Sequence, residues 1–298
     1  MQVGETGAVA CGVDTVSVQT IDDKLAQVQA RLAELGRVAV AFSGGVDSSL
    51  LAAVAHEVLV GQAVAVTADW AVVPRREVEE ARAIAALIGI RHVVVSANAV
   101  AEREEFRANP VDRCYYCKGA LAGLLAEVAA NEGATCIVHG EVADDAQAYR
   151  PGKQAADEAG WIAPLAEAGL SKPEVRELSR RYGLPTADKS SFACLATRVP
   201  HGQEVTLDRL GQIEAAEELL VAEGFRQYRV RHHGEIARIE VRPEDLPRLV
   251  EPERAARLAE GLRQIGFLHV TADLAGFRSG GLSALAGGRV DSPSTAEG

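Results

Sequence analysis

Residues 38–55 read VAVAFSGGVDSSLLAAVA, and this stretch decides the fold class. An apolar, β-branched run leads into Ser-Gly-Gly and then into a helical pattern, which predicts a strand, a tight turn and a helix. Glycines let backbone N–H groups face a ligand, and the first turn of a helix adds partial positive charge. The pattern therefore predicts an anion site over Ser43–Ser49, with a plain glycine turn and an ordinary helix cap as the alternative.

The loop also indicates which kind of anion it binds. It lacks the lysine of the common P-loop pattern G-x-x-x-x-G-K-[ST], and it does not match G-x-G-x-x-G. Without that lysine, backbone amides and hydroxyls suit a pyrophosphate, and the candidate groups are Ser43, Gly44, Gly45, Ser48 and Ser49. Asp47 is then available to hold Mg²⁺ or to cap the helix.

Apolar strands alternate with amphipathic helices through the first half of the chain. The predicted helices are Ile21–Leu35, Ser48–Val60, Pro74–Ile88 and Cys114–Asn131, and the predicted strands are Arg37–Phe42, Ala63–Ala68, Arg91–Ser96 and Thr135–His139. This alternation predicts an α/β fold with a doubly wound parallel sheet that carries helices on both faces.

The second half predicts a separate, smaller unit. Prolines interrupt the pattern from residue 144 to residue 200, where only Lys172–Tyr182 is expected to be helical. Beyond it, helices at 207–223 and 252–265 and strands at 227–232, 236–241 and 267–271 predict an α+β domain. We therefore expect a disordered leader (1–20), a main domain (21–200), a small domain for substrate binding or oligomerisation (201–283) and a disordered tail (284–298).

Composition narrows the functional classes. The chain has 298 residues, a formal charge of −11 and 48% apolar residues, so it can build real cores, and its charge disfavours a nucleic-acid partner. No apolar run is long enough to cross a membrane and no signal peptide is evident, which predicts a cytoplasmic protein without a membrane partner. The five cysteines are an odd number, which argues against a disulfide framework.

Three of the cysteines suggest chemistry. Cys114 and Cys117 have C-x-x-C spacing, and Cys194 lies far along the chain. Four thiolates would close a zinc or iron site, whereas three on a cubane cluster leave one iron open to a small anion such as hydrosulfide. The three cysteines therefore favour a sulfur-carrying cluster, while a redox pair or packing at a helix start are alternatives for the first two.

The segment SGGVDS resembles the S-G-G-x-D-S signature of the PP-loop ATP pyrophosphatases. This resemblance implies cleavage of ATP between its α- and β-phosphates, formation of an acyl adenylate and release of pyrophosphate. It places Thr67, at the end of the second strand, near adenine. It also places Asp144, in the segment HGEVADD, in a second acidic loop near ATP.

Further segments resemble the LarE-type sulfur transferases of the same superfamily over residues 25–282. They are RCYYCK, AYRPG, CLATR, YRVRHHGEIARIE and DLAGFRSGG. The resemblance implies that ATP adenylates a carboxylate of a nicotinate-derived pyridinium mononucleotide and that sulfur then displaces AMP. Two rounds would give the bis-thiocarboxylate of the nickel-pincer cofactor used by lactate racemase-like enzymes.

The resemblance also implies where the sulfur originates. Members with three cysteines use a [4Fe-4S] cluster, here on Cys114, Cys117 and Cys194, whereas other members sacrifice the sulfur of one cysteine, here Cys194. The implied cofactors are ATP, Mg²⁺ and the cluster. The implied partners are the small-molecule substrate, a sulfur donor, the pathway proteins that make the substrate and insert nickel, and further copies of the chain in a homo-oligomer.

Several arginines fit an anionic substrate. Arg229 and Arg231 alternate along a predicted strand and face one side, so they suit a phosphate or carboxylate clamp to which Arg198 and Arg278 contribute. Solvated strand charges are the alternative, and only the family pattern favours the clamp. The resemblance adds Arg150 to the ligand-binding residues, and it assigns the catalytic roles to Cys194, Asp47 and Glu217.

Three other functions remain open from the sequence. A tRNA thiolase would also use ATP and a three-cysteine cluster, although the acidic charge disfavours it. A non-catalytic adenine-nucleotide sensor would bind ATP without cleaving it. An amidase-type synthetase would leave the three cysteines without a role.

Overall fold

The computed structural model describes residues 19–96, 103–147, 151–190 and 193–278. Its helices are α1 Ile21–Leu35, α2 Val46–Leu59, α3 Arg75–Ile88, α4 Glu104–Arg107, α5 Arg113–Asn131, α6 Pro151–Glu158, α7 Pro164–Glu167, α8 Lys172–Arg181, α9 Leu207–Ala222, α10 Leu246–Leu249 and α11 Pro252–Ile265. Its strands are β1 Val38–Ala41, β2 Ala63–Asp69, β3 Arg91–Ser96, β4 Cys136–His139, β5 Tyr228–His233, β6 Ile236–Val241 and β7 His269–Ala272. Nearly all of the predicted leader and the whole predicted tail lie outside the described residues.

The first sheet confirms the α/β prediction. In the described residues its order is β3-β2-β1-β4, and every neighbouring pair is parallel. Helices α1, α2 and α8 pack on one face through residues such as Leu32, Leu50 and Leu178, while α5 and α6 cover the other face through Leu125 and Ala156. Strand β1 lies between β2 and β4, so the strand order reverses at β1. Doubly wound sheets bind ligands at the carboxyl ends of the strands at such a point, and the loop after β1 lies there.

The chain beyond residue 201 forms a second, three-stranded sheet in the part that the structure describes. Strands β5 and β6 are antiparallel, and β7 adds in parallel to β6. Its core contains Leu220, Val230, Leu262 and Phe267. The predicted boundary at residue 200 remains a prediction, and one further core cluster contains residues from both sides of it, Trp70, Leu195, Val199, Leu210 and Ile213 among them.

The segment from 144 to 200 is more regular than predicted. Helices α6 and α7 and short 3₁₀ turns lie where the sequence suggested broken structure. The prolines explain the difference, because Pro164, Pro173 and Pro185 all occupy the first turn of a helix or 3₁₀ turn, where the missing N–H costs nothing. No helix in the described ranges is long and apolar enough to cross a membrane.

Candidate active site

The loop between β1 and α2 forms one wall of a cavity. Gly44 has φ +68°, and a Cβ there would lie 2.9 Å from the Cα of Ala81, so both the backbone conformation and the close approach require glycine. The Ser43 N–H donates to Ser48 Oγ at 3.2 Å, and Gly45 caps α2 through its backbone alone. The start of α2 therefore presents backbone N–H groups toward the cavity.

Asp47 faces this loop with one carboxylate oxygen in use and one free. Lys172 Nζ donates to Asp47 Oδ2 at 2.5 Å, whereas Oδ1 is buried and has no hydrogen-bond partner among the described residues. Asp144 is exposed and accepts from the backbone N–H of Lys172 at 2.7 Å, which anchors the start of α8. A lone buried carboxylate oxygen beside a phosphate-type loop fits a Mg²⁺ ligand.

The cavity has a volume of about 790 Å³ and brings part of the predicted site residues together, without Gly44 and Asp144. Its lining includes the loop residues Ser43, Gly45, Asp47 and Ser48, the β2 residue Thr67, and the three cysteines Cys114, Cys117 and Cys194. Thr67 is buried and donates to the Phe42 carbonyl at 2.8 Å, so it links the ends of β1 and β2. The glycine loop and the cysteines thus open onto the same space.

The three cysteines come from two segments. Cys114 and Cys117 lie at the start of α5, and Cys194 caps the 3₁₀ turn at Leu195–Arg198. Burial, together with the neighbouring thiols Cys194 and Cys114, raises the pKa of Cys117 to about 12. No group of three or more His, Cys, Asp or Glu side chains in the described residues has the arrangement of a metal-ion site.

The cavity wall also carries basic residues that the sequence analysis did not single out. Arg113 and Lys118 flank the two cysteines of α5, and His139 ends β4. Burial lowers the pKa of Lys118, and burial with nearby Lys118 and Lys153 lowers the pKa of His139 to about 4. The sequence does show these residues: Arg113 and Lys118 stand on either side of C-x-x-C in RCYYCK, and His139 is the first residue of HGE.

Arg198 and Glu217 lie away from the cavity wall. Both are buried, and Arg198 Nε and Nη2 donate to the two Glu217 oxygens at 2.8 and 2.9 Å. Arg198 Nη1 also donates to the carbonyl oxygens of Ala193 and Cys194 at 2.6 and 2.9 Å. Neither residue is among the described residues that line the cavity. This pair therefore holds the Cys194 segment in place.

The other predicted arginines that the structure describes are also outside the cavity lining. Arg231 is buried, donates to both Glu240 oxygens at 2.9 and 2.8 Å, and donates to the Thr197 carbonyl at 2.8 Å. Arg229 stacks on Phe277, and burial with nearby Arg198 lowers the pKa of Arg229 to about 10, which leaves it cationic at neutral pH. Arg278 is exposed, and Arg150 lies outside the described residues.

Comparisons with known proteins show the family of this chain. The asparagine synthase family matches residues 20–245. Pyridinium-3,5-bisthiocarboxylic acid mononucleotide synthase of Lactiplantibacillus plantarum is 37% identical over 266 residues, which cover 88% of this chain and 94% of that protein. The chain belongs to the LarE family. The LarE-type resemblance seen in the sequence is thereby confirmed, and with it an ATP-utilising enzyme of the sulfurtransferase type.

Two further relatives show how much of this LarE-family protein is similar to other proteins. The uncharacterized protein slr1717 of Synechocystis is 41% identical over 263 residues, covering 88% of this chain and 98% of that protein. Argininosuccinate synthase of Pyrococcus furiosus is 30% identical over 172 residues, covering 51% of this chain and 40% of that enzyme. The similarity to slr1717 and to the L. plantarum synthase thus covers most of the chain, whereas the similarity to argininosuccinate synthase covers about half of it.

Proposed function

We propose that this LarE-family enzyme adenylates the carboxylates of pyridinium-3,5-biscarboxylic acid mononucleotide and converts each of them into a thiocarboxylate. One observation carries the proposal: the glycine loop and the three cysteines line a single cavity. An acyl adenylate formed at the loop can therefore meet sulfur without leaving the protein. The name of the L. plantarum relative matches this product.

The first step needs a site for the leaving pyrophosphate. A carboxylate oxygen of the substrate attacks the α-phosphorus of ATP, the bond to the β-phosphate oxygen breaks, and pyrophosphate departs. The backbone N–H groups at the start of α2 and the hydroxyls of Ser43 and Ser48 suit the leaving group. Asp47 would hold Mg²⁺, which when bound neutralises phosphate charge, and Lys172 pairs with the other oxygen of Asp47.

The second step needs a sulfur nucleophile in the same cavity. Sulfur attacks the carbonyl carbon of the adenylate, the carbon–oxygen bond to AMP breaks, and AMP leaves with that oxygen. Thiolates are the ligands of [4Fe-4S] clusters, and Cys114, Cys117 and Cys194 line one cavity, although their arrangement in this structure is not that of a metal-ion site. These three residues would hold the cluster, which when bound would offer an open iron that can carry hydrosulfide. Loss of the Cys194 sulfur itself is the competing source.

The proposal extends to the partners of the enzyme. A sulfur donor would recharge the open position after each transfer, other proteins would supply the biscarboxylate and insert nickel into the product, and the chain would form a homo-oligomer. The ring-bearing anionic substrate, with two carboxylates and a phosphate, fits the basic wall at Arg113 and Lys118.

The test uses the full chain, reconstituted anaerobically with iron and sulfide. We expect an iron–sulfur absorption band that Cys114→Ala, Cys117→Ala and Cys194→Ala each abolish, while Cys136→Ala, which is not in the cavity lining, retains it. ATP and the biscarboxylate should yield pyrophosphate and a product with oxygen replaced by sulfur, measured by mass spectrometry. Retention of the absorption band in all three cavity variants would overturn the proposal that these cysteines hold the cluster.

Two further readouts separate the competing functions. A loss of one sulfur mass at Cys194 after a single turnover, without any cluster, would assign the sulfur to that residue instead. Thiolated nucleosides in tRNA incubated with the enzyme would assign the substrate to a tRNA thiolase. A nucleotide sensor would bind ATP and release no pyrophosphate.

A further inference from the structure

Two cations on the cavity wall lack a carboxylate partner. Arg113 and Lys118 lie one position before and one position after the C-x-x-C pair, on the first turns of α5. In the described parts of the chain, no carboxylate oxygen lies within ion-pair distance of either side chain. The other cavity lysine of this region, Lys153, pairs with Glu141 at 2.6 Å.

Arg113 is held in a built site. It is 4% exposed, its Nη1 donates to Asn109 Oδ1 at 2.6 Å, and its Nε is buried without a hydrogen-bond partner in the described residues. Asn109 is fully buried with φ +54°, and its amide donates to the carbonyl oxygens of Pro200 and Gln203 at 2.8 and 3.0 Å. Nη1 also lies 3.2 Å from His201 Nδ1, so two side chains position the guanidinium, and Nε and Nη2 make no hydrogen bond within the described residues.

Lys118 is positioned by an aromatic ring. Its Nζ lies 4.5 Å from the centroid of the buried Trp161 ring, and the side chain lines the same cavity. Glu141 is the carboxylate of the neighbouring loop, and its oxygens lie 2.6 Å from Lys153 and 3.7 Å from His139 Nε2. The charge of Lys118 is thus not cancelled by a direct ion pair.

Buried or partly buried cations without a carboxylate partner are costly, so the presence of Arg113 and Lys118 beside a cavity indicates an anionic ligand. We infer that Arg113 and Lys118 form a subsite for a ring carboxylate of the substrate, beside Cys114 and Cys117 in the cavity. The planar guanidinium can bind a carboxylate through two parallel N–H groups, and the ammonium adds a point charge. The subsite rests on the proposed function and names the residues that would hold the substrate near the sulfur source.

The test measures binding and needs no turnover. Nicotinate mononucleotide and nicotinamide mononucleotide share the ring, ribose and phosphate and differ in one carboxylate against one amide. By isothermal titration calorimetry, we expect the wild-type chain to bind nicotinate mononucleotide about tenfold more tightly than nicotinamide mononucleotide. A hydrogen bond to a charged group gives a difference in affinity of about this size. Lys118→Met and Arg113→Met should each reduce this preference to about twofold or less, with affinity for the amide unchanged.

The controls keep the result interpretable. Lys153→Met removes a cavity lysine that is already paired and should retain the preference for the acid. If Arg113→Met does not fold, as judged by circular dichroism, Lys118→Met decides. An equal loss of affinity for both mononucleotides, with unchanged binding of nicotinate riboside, would assign the two cations to the phosphate and overturn the inference.

An unchanged preference in the folded variants, or no preference in the wild type, would also overturn it. Failure of the proposed function can be told apart from failure of this subsite. In that case the chain would still bind nicotinate mononucleotide more tightly than nicotinamide mononucleotide, but would form no pyrophosphate or no thiocarboxylate.

Discussion

Arg198 and Glu217 form a two-bond ion pair in the interior, with nitrogen–oxygen distances of 2.8 and 2.9 Å. The same guanidinium donates to the Cys194 carbonyl, and Glu217 Oε1 accepts the Val230 N–H at 3.0 Å. One pair thereby joins the Cys194 segment, helix α9 and strand β5. Arg198 and Glu217, to which the family resemblance assigns ligand binding and catalysis, thus connect the cysteine segment to the second sheet, and those two roles stay predictions.

The first prediction concerns the stability of this pair. Arg198→Met should lower the free energy of unfolding by about 3–5 kcal/mol, because it leaves the Glu217 carboxylate buried and uncompensated. The double variant with Glu217→Gln should recover much of that loss, since glutamine is neutral and still accepts from Val230. Equilibrium urea unfolding measures both variants. A solvent-exposed ion pair contributes up to about 1 kcal/mol. If Arg198→Met lowered the free energy of unfolding by no more than that, the buried pair seen in the structure would be contradicted.

The second prediction concerns Asp47. Asp47→Asn should reduce pyrophosphate release by about 100-fold or more, because it removes charge at the position where phosphate charge develops. The Mg²⁺ concentration for half-maximal rate should rise in parallel. Asp157→Asn, which changes an exposed acid on α6, is the matched control and should stay within about twofold of wild type. Equal rates for the two variants would remove Asp47 from the ATP site.

Much of the fold was predictable because its signals are local. Helix α1 has the predicted bounds, and β1, its glycine turn and α2 follow directly from an apolar run, Ser-Gly-Gly and a helical period. The order of the strands then brings the ends of β1 and β2 to one edge, so Thr67 lies at the same cavity as Ser43. Local periodicity and the rules of parallel sheets suffice for this part.

The arginine environments were not predictable, because the partner of a charge depends on tertiary packing. In the β5–β6 register Arg231 lies opposite Arg238, and Glu240 is its diagonal neighbour. Spacing alone gives Arg229 and Arg231 one face, but it does not say that Glu240 and the Thr197 carbonyl lie on that face. In the same way, the sequence shows Arg113 without showing that Asn109 orients it.

The third prediction concerns the close approach of Gly140 to the start of helix α2. A Cβ at Gly140 would lie 2.8 Å from the Ser48 backbone nitrogen and 2.9 Å from the Asp47 carbonyl carbon, both of which belong to the backbone and cannot swing away. Gly140→Ala should therefore destabilise the protein by about 1–3 kcal/mol and weaken ATP binding. Differential scanning calorimetry and nucleotide titration measure the two effects.

The matched control for this prediction is Gly123→Ala in helix α5. Nothing lies within 4 Å of a Cβ at that position, so alanine should stabilise the helix by about 0.5–1 kcal/mol. If both glycine variants shifted stability in the same direction, the contact between Gly140 and the start of α2 would not be the cause.

The last prediction concerns the pH dependence of stability and rests on His139. This side chain is buried, its Nε2 has no hydrogen-bond partner in the described residues, and burial with nearby Lys118 and Lys153 lowers its pKa to about 4. In the unfolded chain an imidazole titrates near pH 6.5. Between these two values the unfolded state binds a proton that the native state does not, so stability falls as the pH falls.

The contribution of His139 is therefore fully present above about pH 6.5 and is lost progressively as the pH falls toward about 4, amounting to about 3 kcal/mol over that interval. His139→Gln removes the titrating group while keeping a polar side chain of similar reach. The free energy of unfolding of the wild type minus that of the variant, measured by urea titration from pH 7 to pH 4.5, should decrease steadily as the pH falls. Other histidines cancel in this difference because both proteins contain them. Parallel curves would show that His139 takes up its proton equally in both states, and that the basic wall of the cavity does not disfavour a further charge.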